Sequence, residues 1–147
     1  MLRSIYRGCE ALASYLQSPF LLIIRLIWGG MFIQTGFGKL MNLQNTSSFF
    51  ASLDIPYPTL NAFLVGSVET LGGVLLVLGL FTRIATIPLI ITMIGAYFLA
   101  HYKAIAALTT NPKLFLDQAP FMFLYTCLVL LAFGPGLFSI DAWLKRK

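Results

Sequence analysis

The sequence predicts an all-α polytopic membrane protein, in which a bundle of four transmembrane helices follows an N-terminal amphipathic helix at the membrane interface. Of the 147 residues, 59% are hydrophobic and only 10% are charged, and the mean hydropathy is +0.86. A soluble domain carries about 25% charged residues, so an ordinary water-soluble globule is excluded, as is a disordered chain. Four spans of about 20 residues would fill just over half of the chain and leave room for connections.

Residues 1–17 predict an amphipathic helix that lies in the membrane interface. Apolar side chains recur on one face at helical spacing, and the opposite face carries Arg3 and Arg7. Ser18 followed by Pro19 is typical of a helix start, which predicts a break before the first span. The alternative is a helix that continues into the first span without interruption.

The membrane domain is predicted over residues 18–141. Its apolar runs place the four spans at about residues 19–40, 59–81, 84–102 and 119–138. The connection between the second and third spans is very short, so these two spans are antiparallel neighbours. A basic tail, residues 142–147, follows the domain.

The other two connections are longer. Residues 41–58 predict a short helix, capped by Asn45, that presents Phe49, Phe50 and Leu53. In the second long connection, residues 103–118, Asn-Pro at positions 111 and 112 indicates a turn.

The basic residues predict the orientation in the membrane. One side receives Arg3, Arg7, Arg83, Lys145, Arg146 and Lys147, and the other receives Lys39, Lys103 and Lys113. The positive-inside rule therefore places both termini in the cytoplasm. These basic residues lie at the chain ends and between apolar runs, where they set the orientation in the lipid bilayer. The net charge of +5 therefore does not indicate a nucleic-acid partner, and none is expected.

Several short segments, in this order and spacing, resemble the DoxX family of small four-span bacterial membrane proteins. They are Gly36-Phe37-Gly38-Lys39-Leu40, Ala51-Ser52-Leu53-Asp54-Ile55-Pro56, Glu69-Thr70-Leu71-Gly72-Gly73, Gly79-Leu80-Phe81-Thr82-Arg83 and Gly134-Pro135-Gly136-Leu137-Phe138-Ser139-Ile140-Asp141. The chain departs from the family at Asp54, where family loops commonly have glycine. The resemblance implies a four-helix bundle in the bacterial inner membrane and a link to membrane complexes for thiol and superoxide stress. It implies no catalytic residues.

Glu69 is the sharpest candidate for a functional residue. It lies near the middle of the second span, where a carboxylate costs several kcal/mol unless it is paired, hydrogen-bonded or protonated. It should therefore face the bundle interior, with Gly66 and Gly73 on the same helix face. It is either part of a ligand or proton site, or a buried hydrogen-bonding group that fixes the helix register.

Counting along the spans from the cytoplasmic side places one polar side chain of each other span level with Glu69. These are Gln34, Tyr97 and Tyr125. We therefore predict a buried polar layer in which Glu69 contacts at least one of them. Arg25 lies closer to the cytoplasm and is expected either to reach Glu69 through water or to extend toward the headgroups.

A second predicted contact lies at the cytoplasmic face. Arg83 sits in the tight turn between the second and third spans, and Asp141 follows the end of the fourth. Both should lie at the same membrane surface, so we predict an ion pair between them.

The sequence contains no motif for a resident cofactor or a metal. Cys9 and Cys127 form no C-x-x-C pair, and His101 is the single histidine. No metal site is predicted and no cofactor is evident, although a quinone would fit the polar layer. No catalytic motif is found, so an enzymatic role would be that of a quinone-linked oxidoreductase component.

These observations leave two main functions open. The first is an accessory or scaffold subunit of a membrane redox or oxidative-stress complex, with other membrane redox subunits or a second copy of the chain as partners. The alternative is a binding protein or an enzyme for a small ligand within the membrane, such as a quinone, a lipid or an isoprenoid, which uses Glu69 in the buried polar layer. A stand-alone transporter is less favoured, because the four spans show no inverted repeat.

Overall fold

The structure, a computed structural model, describes the backbone of residues 2–145 and the side chains of residues 15–145. This part of the chain forms helices α1 (Leu2–Met41), α2 (Leu43–Ser52), α3 (Pro58–Leu78), α4 (Thr82–Ala100), α5 (Tyr102–Ala106), α6 (Pro112–Leu116), α7 (Ala119–Phe133) and α8 (Ile140–Leu144). Helices α1, α3 and α4 are long and apolar enough to cross a membrane, and α7 is a shorter apolar helix. The predicted all-α membrane fold is confirmed.

Helix α1 runs through Pro19 without the predicted break, so the first helix and the first span are continuous. Proline removes one backbone donor but is tolerated inside membrane helices when neighbouring groups compensate. Here Ser18 is buried and its hydroxyl accepts a hydrogen bond from the Leu137 amide at 3.2 Å, which fixes this turn against the segment after α7. The side chains of residues 1–14, and Arg146 and Lys147 of the basic tail, lie outside the described residues. The interfacial location of residues 1–17 stays a prediction.

Helices α1 and α3 pack antiparallel at very short range. A Cβ atom added to Gly36 would lie 2.5 Å from the Thr70 backbone nitrogen, and one added to Gly73 would lie 2.7 Å from the Gly29 carbonyl oxygen. Only glycine allows this approach, so the glycines fix the register of the two helices. This register places Gly36 level with Glu69 and Thr70.

Helices α4 and α7 complete the bundle. The buried core includes Phe32 of α1, Leu76 of α3, Leu89 of α4 and Phe123 of α7. The Phe32 and Phe123 rings meet edge to face, with centroids 4.6 Å apart. The bundle of these four helices has two ends that differ in their connections. The loop end carries α2, α5 and α6, and the turn end carries residues 79–81 and 134–139.

The structure corrects two details of the connections. Helix α2 is present as predicted, but its N-cap is Asn42 and not Asn45, because α2 follows α1 almost directly. Asp54, which replaces the glycine common in family loops, adopts a φ of 56°, the left-handed region that glycine tolerates best. The fourth span is also shorter than predicted: α7 ends at Phe133, where Gly134 takes a φ of 76°.

Candidate functional site

Arg25 is buried at the turn end, where its guanidinium binds backbone carbonyl groups. Nε donates to the Leu76 oxygen at 2.9 Å, and Nη2 donates to the Val77 oxygen at 3.3 Å. Nη1 donates to the carbonyl oxygens of Pro135 and Phe138. These carbonyls lie at the end of α3 and in the loop after α7, where helical partners are missing.

The sequence-based expectations for Arg25 are therefore wrong. The side chain neither extends to the headgroups nor approaches Glu69, since it is 1% exposed and its donors bind carbonyls at the turn end. The physical reason is that unpaired carbonyls in a membrane protein need donors, and a guanidinium offers five.

The predicted ion pair between Arg83 and Asp141 is also absent from the described residues. Asp141 lies at the turn end as expected, but its Oδ1 accepts the Phe81 amide at 2.8 Å and its Oδ2 accepts the Thr82 amide at 3.0 Å. The amide groups at a helix N-terminus attract a carboxylate, so Asp141 binds the start of α4. Arg83 donates instead to the Ala132 carbonyl oxygen at 3.2 Å.

Glu69 is 2% exposed, which confirms the predicted burial inside the bundle. Its partner is Lys39, from the last turn of α1, with 2.5 Å between Nζ and Oε2. This ion pair was not predicted. It is the one salt bridge between side chains in the part of the chain that the structure describes.

The predicted polar layer does not form around Glu69. Gln34 is exposed on α1, and Tyr125 is 55% exposed on α7. Tyr97 is buried, but its hydroxyl donates to the Phe115 carbonyl oxygen at 2.8 Å. Equal depths along separate spans did not translate into contact, because the side chains point to different faces.

A signal for Lys39 was present in the sequence. Gly29 and Gly36 of α1 are seven residues apart, as are Gly66 and Gly73 of α3. Matching these two pairs in antiparallel order sets the register that the structure shows. Lys39 then lies one turn beyond Gly36, within reach of Glu69 along the α3 surface.

Lys39 and Glu69 form part of the wall of a cavity of about 430 Å³ between the helices, toward the loop end. Phe49 and Phe50 of α2 and Gly95 of α4 also line it, together with residues of α1, α3 and α7. Most of its wall is apolar. Two residues that line the cavity, Ile91 and Leu99, are 65% and 52% exposed on the outer surface of α4. The cavity therefore reaches the molecular surface beside α4.

The ion pair leaves polar atoms unused at the cavity wall. Within the described residues, the bond to Glu69 is the one hydrogen bond of the Lys39 ammonium group, and Oε1 of Glu69 accepts none. An ammonium group has three donors and a carboxylate has two acceptor oxygens. The wall thus offers both donors and an acceptor to a bound molecule.

Metal-ligating side chains do not cluster in the described part of the chain: no three of His, Cys, Asp or Glu come together there. Cys127 is a free cysteine buried in α7, and His101 lines the cavity at the loop end.

Comparison with known proteins identifies relatives of the chain. The pattern of the DoxX family matches residues 20–102. An uncharacterized membrane protein of Mycobacterium tuberculosis is 33% identical over 141 residues, which cover 88% of this chain and 83% of the relative. The inner membrane protein YphA of Escherichia coli is 31% identical over 122 residues, 82% of this chain and 87% of the relative.

A Bacillus subtilis protein, named "Putative oxidoreductase CatD", is 35% identical over 83 residues, 56% of this chain and 60% of the relative. No solved structure matches the chain. The apolar helices and the names of two relatives agree that this is a membrane protein, while the side on which its termini lie stays a prediction. The family pattern and the long alignments confirm the resemblance seen in the sequence, and the chain belongs to the DoxX family.

Proposed function

We propose that this protein binds a small membrane-soluble molecule in the cavity between its helices, and that the Lys39–Glu69 pair holds the polar head of that molecule. The observation that carries the proposal is the cavity itself. Its volume of about 430 Å³ lies within the range of known ligand sites, which are mostly apolar with a few placed polar groups.

The composition of the wall defines the class of ligand. The Lys39 ammonium and the free Oε1 of Glu69 would bind one polar group, and the apolar remainder of the wall would bind a hydrocarbon or isoprenoid portion. A lipid or an isoprenoid with a polar head group has this division, and so does a quinone, although its carbonyl oxygen would accept from Lys39 alone. A strongly hydrated solute would lose its water against the apolar wall and gain few partners.

The position of the opening supports entry from the bilayer. Ile91 and Leu99 line the cavity and are also exposed on α4, one of the membrane-spanning helices. A ligand dissolved in the membrane would reach the cavity between apolar side chains without crossing water.

A role in a membrane redox complex is the second candidate, favoured by the oxidoreductase name of the relative CatD. The two proposals are compatible, because a quinone bound by this chain would be available to a partner subunit that carries the redox cofactor. In that arrangement the chain is an accessory subunit that supplies the ligand site.

The substitution Gly95→Leu tests the proposal. A Cβ atom at Gly95 meets no atom within 4 Å, and this residue lines the cavity, so a leucine would fill ligand space without a backbone clash. Gly38→Leu is the matched control, because Gly38 is equally open but lies outside the cavity. Each protein is purified in a mild detergent, and the bound small molecules are measured by native mass spectrometry.

We expect the wild type and Gly38→Leu to retain an apolar small molecule, and Gly95→Leu to lose it by about tenfold or more, the effect of about 1.4 kcal/mol in binding. Unchanged occupancy in Gly95→Leu would contradict the proposal. The absence of any bound molecule from the wild type, together with co-purification of other membrane proteins, would favour the accessory role without a ligand.

A further inference from the structure

We infer that the Lys39–Glu69 pair selects ligands whose polar head is a hydroxyl group, a phenol or an alcohol, over ligands whose head is a carbonyl or an ether. The inference rests on the proposed binding function and names the head group that the site prefers. Its basis is the set of hydrogen-bonding atoms that the pair leaves unused.

The two side chains offer opposite hydrogen-bonding character at one place. Among the described residues, the Lys39 ammonium is a donor only, with two N–H groups unused, and Glu69 as a carboxylate is an acceptor only, with Oε1 unused. A hydroxyl oxygen accepts one hydrogen bond and donates another, so a single hydroxyl would satisfy both residues. A carbonyl or ether oxygen would accept from Lys39 and leave Oε1 of Glu69 without a donor.

The neighbouring polar side chains do not supply the missing donor. Thr35 and Thr92 also line the cavity, but each hydroxyl has one hydrogen, which Thr35 donates to the Phe32 carbonyl oxygen and Thr92 to that of Leu89. Both bonds lie within the residue's own helix. The threonines are therefore committed to the backbone.

The remaining polar residues of the wall lie at the loop end. Asn61 precedes Glu69 by two turns of α3, about 12 Å along the axis, and donates to the Pro56 carbonyl oxygen at 2.6 Å. His101 directly follows the last residue of α4. Selection between a hydroxyl and a carbonyl thus depends on whether the head group of the ligand can donate a hydrogen bond to Glu69.

A matched pair of probes measures the contribution of the hydroxyl hydrogen that the ligand would donate to Glu69. The phenol 4-nonylphenol and its methyl ether share the same tail and ring, and differ in that the ether cannot donate. Binding of each probe is measured by isothermal titration calorimetry on the full chain, for the wild type, Glu69→Gln and Gly95→Leu. The ratio of the two dissociation constants in Glu69→Gln also corrects for unequal partitioning of the probes into detergent.

We expect the wild type to bind the phenol about tenfold more tightly than the ether, since leaving a buried acceptor without a hydrogen bond weakens binding by about tenfold or more. In Glu69→Gln the ratio should fall to about one to two, because an amide both donates and accepts and can pair with either head. Gly95→Leu should weaken both probes together.

Three results would overturn the inference. Equal wild-type affinities for the two probes, with both weakened by Gly95→Leu, would remove the hydroxyl selectivity and leave the proposed binding function standing. A tenfold ratio that persists in Glu69→Gln would show that Glu69 is not its source. Failure of the wild type to bind either probe would remove the proposed function and the inference together. If Glu69→Gln does not fold, the wild-type ratio decides, after correction by titrating each probe into the same detergent without protein.

Discussion

The α1–α3 interface contains two buried charged sites, about 21 Å apart along α1 by helical rise, and they differ in how completely they are paired. At the turn end, Arg25 uses four of the five N–H groups of a guanidinium on backbone carbonyls. At the loop end, Lys39 and Glu69 share one hydrogen bond and face a cavity. A buried charge with its partners in place holds a fold together, whereas one with unused atoms beside a cavity indicates a binding site.

The largest expected effect comes from breaking the fully paired site. Arg25→Met keeps much of the side-chain length but leaves four carbonyl bonds unmade in a buried region. We expect the free energy of unfolding to fall by about 3–5 kcal/mol, measured by equilibrium unfolding in mixed detergent micelles.

The matched control is Arg83→Met, because Arg83 is exposed and makes a single hydrogen bond to the described residues, to the Ala132 carbonyl. Its expected effect is below about 1 kcal/mol. Similar losses for the two variants would show that Arg25 does not organise the turn end.

A smaller effect is expected from Asp141, which binds the start of α4 beside Arg25. Asp141→Ala removes the acceptor of the Phe81 and Thr82 amides and should lower the free energy of unfolding by about 1–2 kcal/mol, as for other helix N-caps. Asp141→Asn, which retains one amide oxygen as an acceptor, should lose less when measured by the same unfolding assay. An asparagine variant as unstable as the alanine variant would indicate that charge, and not the hydrogen bonds, is what α4 requires.

The smallest effect on stability is expected at the cavity. The double variant Lys39→Met with Glu69→Leu replaces the ion pair by apolar side chains, an exchange that often leaves stability unchanged or improved. We expect the free energy of unfolding to change by no more than about 1 kcal/mol, while ligand occupancy in native mass spectra falls to background. A loss of stability as large as that of Arg25→Met would show that the Lys39–Glu69 pair is structural, like Arg25.

The sequence was informative about the fold because composition and apolar run length decide what can cross a bilayer. The three long spans and the short helix after the first span appear close to their predicted positions. The predicted break at Pro19 is wrong, because the tertiary contacts of Ser18 outweigh the local Ser-Pro signal for a helix start. The end of α7 was misplaced because the apolar run continues past Gly134, where the backbone leaves the helix.

The site was harder to predict. Glu69 was found because a carboxylate in mid-span is costly, and that argument needs no knowledge of neighbours. The pairing of Glu69 with Lys39 depends on the register between α1 and α3. The paired glycines determine this register, whereas the depth of a residue along its span does not. The partners of Arg25 and Asp141 are backbone groups at helix ends and in the loop after α7. Every residue has such groups, so residue identity does not reveal which of them lack a partner.

The short helix α7 has a consequence for the surrounding lipid. Its 15 residues extend about 22 Å, against a hydrocarbon thickness of about 30 Å. A bilayer adapts to such a mismatch by thinning locally, at a cost of a fraction of a kcal/mol per Å. The chain should therefore be surrounded by an uneven annulus of lipid, thinner beside α7 than beside α1, and it should partition into bilayers of short-chain lipids in preference to thick ones.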